Sequence, residues 1–259
     1  MLVMLASVLL GPVAFTLFFL ILSLLCLSEF YSLVKLEAVN PQRISGTLLG
    51  FFVFVILGLH YIHHVDLAYL LLAVPIMCLI YIAELYSKSS SPFNNIAYTF
   101  LGVLYAVLPF CFFYVLGFLD GLYNFRYPIG FMLLLWANDT GAYLFGIKLG
   151  KNKLFERHSP KKTWEGLLGG MFTSLLVAFI LSNYWQELSL LHWYVVSLII
   201  VCFGSCGDLI ESMLKRSVNT KDSGSLLPGH GGLLDRFDGL LLSAPIVFVY
   251  LYCIKILFS

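Results

Sequence analysis

Runs of about twenty apolar residues recur along this 259-residue chain, and that recurrence limits its fold more than any other feature. Inside a bilayer every backbone amide and carbonyl needs an internal partner, so runs of this length must be helices. We place helices near 2–10 (short), 12–34, 46–60 (short), 67–86, 97–116, 128–147, 164–182, 190–213 and 232–257. The fold class that follows is all-α: a polytopic membrane protein with eight or nine transmembrane helices, depending on whether the first run counts. Composition agrees, with 60% hydrophobic residues, 11% charged and a mean hydropathy of +0.93. Soluble domains are about half apolar and about a quarter charged. No polar stretch exceeds roughly 20 residues, so no separate soluble domain is expected. The chain opens directly on "MLVMLASVLLGP", without a basic segment or a small-residue cleavage site. We read this as a short or truncated first helix and not as a signal peptide. All six cysteines lie in apolar stretches without a CxxC pair, so neither a disulfide framework nor a cysteine metal site is expected.

The net charge of +1 says little, and no nucleic-acid partner is expected; placement says more. With 35–45, 87–96, 148–163 and 214–231 on one side, that side carries 13 of the 15 Lys and Arg residues, counting Arg236 just inside it. Only Arg126 and Lys255 fall opposite. The positive-inside rule makes the rich side cytoplasmic. Residues 139–238 hold 10 of the 15 basic and 9 of the 14 acidic side chains. Residues 1–127 therefore read as scaffold helices and 128–259 as catalytic helices with their loops, together one integral unit.

A carboxylate in a membrane helix costs several kcal/mol unless paired, metal-bound or wetted. Three places break the apolar pattern. In "LLLWANDTGAYLFG", Asn138, Asp139 and Thr140 lie about ten residues before the helix end, roughly 15 Å deep. In "CFGSCGDLIESMLKRS", Ser205, Asp208 and Ser212 share one helix face, with Glu211 one turn from Asp208. Asp208 sits about 10 Å below the rim marked by Lys215. In "LPGHGGLLDRFDGLLL", Asp235 and Asp238 lie one turn apart at the entrance of the last helix, at the depth of Asp208. Carboxylates crowded at one depth repel unless cations sit among them. Hard divalent cations take oxygen ligands, typically one or two carboxylates plus phosphate oxygens.

Basic residues supply the complement: Lys161 and Lys162 before one helix, Lys215, Arg216 and Lys221 after another. Gly231 and Gly232, with Gly229, let backbone approach a ligand and open a helix whose free amides attract anions. The residues alone thus suggest a pocket on the basic face, with a metal held by carboxylates and phosphates gripped by Lys, Arg and a glycine-rich helix start. Such equipment suits phosphoryl or nucleotidyl transfer.

The segment "SMLKRSVNTKDSGSLLPGHGGLLDRFD", Ser212–Asp238, closely resembles the signature of the phosphatidate cytidylyltransferases. Its elements stand as Ser212, Lys215-Arg216, Lys221-Asp222, Pro228, His230-Gly231-Gly232, Asp235-Arg236 and Asp238. "NDTGAYLFG" and "SPKKTWEG" look like the same family, and the resemblance covers roughly residues 10–259. It implies a multi-helix enzyme of the bacterial inner membrane, usually a homodimer, with its site facing the cytoplasm. The implied reaction condenses CTP with phosphatidic acid to CDP-diacylglycerol and pyrophosphate, with Mg²⁺. Asp208 and Asp235 match the positions of the family's metal centre, which can include a monovalent cation such as K⁺. Family members usually start with a short basic segment, and here the chain starts inside a hydrophobic run.

From residues and resemblance together, Asp208, Asp235, Lys215 and Arg236 are expected to be catalytic. Asp208 and Asp235 hold the metal, with Asp238 and Glu211 as further candidates. CTP and phosphate groups are expected to meet Lys161, Lys162, Ser212, Arg216, Lys221, Asp222, His230, Gly231, Gly232, Asn138 and Asp139. Two rivals are a CTP-dependent lipid-alcohol kinase, which would release CDP, and a cation-coupled transporter using Asp139 and Asp208. A transporter should spread its acids through the membrane and show inverted repeats, and neither is visible. The histidines of "HYIHH", 60–64, fall on the far side near Asp66 only and read as a surface loop.

Overall fold

The computed structural model of the chain describes residues 2–35, 39–156, 159–220, 222–224 and 231–258. The helices among them are α1 (Leu2–Leu9), α2 (Pro12–Val34), α3 (Arg43–His63), α4 (Ala73–Leu85), α5 (Pro92–Ala106), α6 (Leu108–Leu116), α7 (Arg126–Leu149), α8 (Trp164–Tyr184), α9 (Leu190–Ser217) and α10 (Leu234–Phe258). A 3₁₀ segment, Leu67–Leu72, leads into α4, and a hairpin of β1 (Lys153–Phe155) and β2 (Ser159–Thr163) joins α7 to α8.

Among the described residues, seven helical spans are long and apolar enough to cross a membrane: Pro12–Val34, Arg43–His63, Leu67–Leu85, Pro92–Leu116, Trp164–Tyr184, Leu190–Ser217 and Leu234–Leu257. The all-α polytopic expectation therefore holds. The 24-residue α7 matches these spans in length, but Asn138, Asp139 and Thr140 interrupt its apolar run. The eight-residue α1 rises only about 12 Å, against a hydrocarbon core of about 30 Å.

Several boundaries differ from the sequence-based placement. The short run expected at 46–60 is a full helix from Arg43 to His63, because the polar Arg43 and Ser45 form its first turn. The run expected as one helix at 67–86 starts as a 3₁₀ turn, where the Asp66 side chain accepts the Ala68 amide at 2.9 Å. The helix expected at 97–116 starts at Pro92 and is interrupted at Val107, two residues before Pro109, which has no amide to donate. The polar stretch between α7 and α8 is an antiparallel hairpin pairing Lys153 with Thr163 and Phe155 with Ser159.

α2 is apolar all round because both of its faces meet apolar surroundings. Leu17, Ile21 and Leu25 form an exposed stripe, while Phe15, Phe19, Cys26 and Leu27 are buried. Phe19 packs on Phe15 and on Phe113 of α6, each at 4.9 Å between ring centroids. Phe113 continues to Phe131 of α7 at 5.3 Å, and Phe110 of α6 meets Phe237 of α10 at 5.5 Å. Each such pair adds about 0.5–1.5 kcal/mol beyond area burial. These contacts make one core of the scaffold helices and the helices that carry the signature.

Hydrogen bonds tie the polar connections to neighbouring helices. The Asn40 amide donates to Asn95 Oδ1 at 2.8 Å, and Gln42 Nε2 donates to Glu84 Oε2 at 2.8 Å. This joins the α2–α3 connection to the α4–α5 connection. Asn152 and the Lys151 amide donate to Glu165 in the first turn of α8, stapling the hairpin to that helix.

Candidate active site

Helices α9 and α10 meet at glycines, Gly204 and Gly207 of α9 facing the backbone of Asp238 and Gly239 of α10. A Cβ on Gly207 would stand 2.3 Å from the carbonyl oxygen of Asp238, and one on Gly204 would stand 3.7 Å from that of Gly239. Glycine at these crossings lets the backbones approach, as small residues do in membrane bundles. The approach sets Asp208 and Asp238 on the wall of a common cavity of about 660 Å³.

Asn138 and Asp139 of α7, Lys161 and Lys162 of β2, and Ser205, Asp235 and Arg236 complete the polar part of that wall. Gly146 and Gly166 contribute a slim α7–α8 side. Of the expected site residues, eight therefore share one cavity: Asn138, Asp139, Lys161, Lys162, Asp208, Asp235, Arg236 and Asp238.

Two ammonium groups pair with two of the four wall carboxylates. Lys162 Nζ lies 2.6 Å from Asp208 Oδ2 and 3.4 Å from the Ser205 carbonyl oxygen. The hairpin delivers this lysine, and the Thr163 hydroxyl next to it caps α8 by accepting the Gly166 amide at 3.1 Å. Lys215 Nζ lies 2.6 Å from Asp235 Oδ1 and 2.7 Å from Glu211 Oε2, an i,i+4 pair along α9. Glu211 is only 1% exposed, and it and Lys215 sit behind the wall on which Asp235 stands. Lys215 and Glu211, expected to meet phosphate and metal, are committed to each other and to Asp235.

Asp235 is also the clasp of its own turn. Its Oδ2 accepts the Gly232 amide at 2.9 Å and the Ser223 amide at 3.2 Å. Gly231 has φ of 78°, the left-handed region that glycine enters at no cost. Asp238 accepts the amide of Gly239 at 2.7 Å through Oδ1.

Of the other expected residues, Ser212, Arg216 and Asp222 do not line this cavity. Ser212 is half-buried on α9, and Asp222 is exposed. Arg216 is exposed, with its guanidinium 3.5 Å from the Thr220 carbonyl oxygen. Lys221 and His230 lie outside the described residues.

Among the described residues no group of three or more His, Cys, Asp and Glu side chains is arranged to enclose a metal ion. The donor set fits a divalent cation that arrives with substrate phosphates, since magnesium commonly takes one or two carboxylates and fills its octahedron with phosphate and water. Asp208 and Asp238 each use one carboxylate oxygen in the contacts above. Asn138 Oδ1, on the same wall, is buried and has no hydrogen-bond partner among the described residues.

One residue that sequence reasoning passed over is Glu29, assigned to the scaffold. Its Oε2 accepts the Leu234 amide at 2.8 Å, across 205 positions of sequence. A single acid in an otherwise uncharged 23-residue apolar helix was the available signal.

A sequence model described as the cytidylyltransferase family matches residues 1–254. Over 167 residues the chain is 42% identical to the phosphatidate cytidylyltransferase of Staphylococcus aureus (strain COL), covering 64% of this chain and 62% of that relative. The phosphatidate cytidylyltransferase of Staphylococcus haemolyticus (strain JCSC1435) is 40% identical over 167 residues, with the same coverage. The match thus spans 62% of the length of these relatives.

Proposed function

The chain belongs to the cytidylyltransferase family, and from that premise we propose that it is a phosphatidate cytidylyltransferase, transferring CMP from CTP to phosphatidic acid. The observation that carries the reading is the single cavity on which Asp139, Asp208, Asp235 and Asp238 stand with Lys161, Lys162 and Arg236. Opposite charges at this density suit a nucleotide triphosphate with its counter-cation and an anionic lipid headgroup.

A phosphate oxygen of phosphatidic acid attacks the α-phosphorus of CTP. The new P–O bond forms as the bond to the β-phosphate bridge breaks, and pyrophosphate leaves with the electron pair. The attacking phosphate is ionised at neutral pH, so no general base is needed. Both reactants are anions, so charge neutralisation dominates the barrier. Lys161 and Lys162 draw the triphosphate into the cavity, and Arg236 faces the charge that develops on the leaving group. Lys215 holds Asp235 in place and keeps Glu211 neutralised behind it. The Gly232 and Leu234 amides at the start of α10 are taken by Asp235 and Glu29, so the Gly231–Gly232 turn serves the placement of Asp235 rather than a direct grip on phosphate.

Asp208 and Asp235 are the carboxylates proposed to hold Mg²⁺, with Asp238 and Asn138 on the same wall. When bound, the ion supplies Lewis-acid neutralisation of phosphate charge. A monovalent cation such as K⁺ is a further proposed component. The site is proposed to face the cytoplasm from a bacterial inner membrane, on the 13-to-2 division of basic residues between the two sides. A homodimer is carried over from the family resemblance.

The test uses CTP labelled in the α- or the γ-phosphate, with phosphatidic acid, Mg²⁺ and the purified protein in detergent. Label from the α-position should enter the lipid fraction while pyrophosphate is released. Label from the γ-position entering lipid, with CDP released, would replace this reading with a lipid kinase.

A further inference from the structure

Helix α2 carries one charge, Glu29, and the carboxylate is 3% exposed. It is enclosed by the turn that precedes α10. The Leu234 amide donates to Oε2. A Cβ on either Gly224 or Gly232 would stand 2.0 Å from Oε1, so both glycines press against the carboxylate. The same Cβ on Gly232 would also stand 2.0 Å from Ser223 Oγ, which makes that hydroxyl a neighbour of Oε1. Glu29 Oε1 and Ser223 Oγ are both buried, and neither has a hydrogen-bond partner among the described residues. A serine hydroxyl is a rotor and can turn its proton to the carboxylate.

The far side of this turn is held by Asp235, which accepts the amides of Ser223 and Gly232. Residues 223–224 and 231–234 are therefore gripped between two carboxylates, one from α2 and one from α10. A negative charge at the start of a helix is also favoured by the helix dipole.

We propose that Glu29 is a positioning residue for the transfer reaction: it fixes the first turn of α10 and so the direction in which Asp235 meets the cavity. The proposal rests on the cytidylyltransferase reading for its kinetic consequence, and on geometry alone for its structural one. Misplacing a reacting group by about 1 Å can cost 10²-fold in rate.

The experiment compares Glu29→Ala and Glu29→Gln with the wild-type protein in detergent. It measures kcat and KM for CTP, the thermal midpoint, and hydrogen–deuterium exchange of the segment containing Gly232–Arg236. Glu29→Ala should lower kcat by at least about tenfold with KM within about twofold, the pattern of a lost transition-state interaction. Its segment should exchange faster. Glu29→Gln keeps an oxygen for the Leu234 amide and should recover most of both. Unchanged exchange in Glu29→Ala overturns the proposal. So does faster exchange at wild-type kcat, a Gln variant as impaired as Ala, or a loss explained entirely by a collapsed thermal midpoint. If the wild-type protein makes no CDP-diacylglycerol, the cytidylyltransferase reading fails, and the exchange comparison still decides whether Glu29 holds α10.

Discussion

Alanine at Gly207 would place a methyl group 2.3 Å from the Asp238 carbonyl oxygen and 3.2 Å from its carbonyl carbon. Ordinary contact starts at 3.4 Å, so α9 and α10 must part by about 1 Å at the level of Asp208 and Asp238. Overpacking of this kind costs ~1–3 kcal/mol. Gly204, three residues earlier on the same helix, supplies the control. There a Cβ meets Leu135 Cδ1 at 3.4 Å and the Gly239 carbonyl at 3.7 Å, which is ordinary contact. Both changes bring the same gain of ~1 kcal/mol in helix propensity, so that gain cancels between them. Gly207→Ala should be less stable than Gly204→Ala by ~1–3 kcal/mol in denaturant unfolding in detergent. The same displacement moves the cavity wall, so turnover to CDP-diacylglycerol should fall by ~10–100-fold in Gly207→Ala and stay near wild type in Gly204→Ala. Two variants alike in stability and in turnover would refute the close crossing as the feature that sets the wall.

Other perturbations separate the charged groups. Lys215→Met strands Glu211 and Asp235 without a cation, and denaturant unfolding should show a loss of ~3–5 kcal/mol, partly recovered by adding Glu211→Gln. Asp208→Asn and Asp235→Asn should each abolish CDP-diacylglycerol formation while the thermal midpoint shows a folded protein; near-normal turnover in both would remove them from the reaction centre. At the opposite end, Glu187 lies between α8 and α9. Burial pushes its carboxyl up, but the hydrogen bond and charge of Arg126 outweigh this and hold it below the ordinary range. The stabilisation is therefore complete above the unfolded value of about 4.3 and lost as pH falls through the lower folded value. Thermal midpoints of wild type and Glu187→Gln should accordingly converge on acidification below about pH 4.

The long helices were legible because lipid and core both demand apolar side chains, and a run of twenty such residues leaves few alternatives. Asp139, Asp208, Asp235 and Asp238 were legible as exceptions to that demand, and the cavity gathers all four. The pairing of Lys162 with Asp208 was not, since it depends on a short polar hairpin with no alternating pattern to announce strands. The Lys215–Glu211 contact follows from i,i+4 spacing on a helix and could have been read. Glu29 shows a different failure. Its cost in an apolar helix demanded a partner, but the partner is a backbone amide 205 positions away, and amides leave no mark in a sequence.

That distance also sets an order of events in biogenesis. Glu29 enters the membrane with α2, while Leu234 has yet to be synthesised. At about 5–20 residues per second, the 205 intervening positions take ~10–40 s to translate. Throughout that interval the carboxylate must be satisfied by water, by protonation or by passing contacts. The scaffold helices can assemble around their aromatic core in the meantime, since Phe15, Phe19, Phe110 and Phe113 are all in place. The turn that carries Asp235 closes on Glu29 only when α10 arrives, so the proposed reaction centre is completed after the scaffold helices have been made.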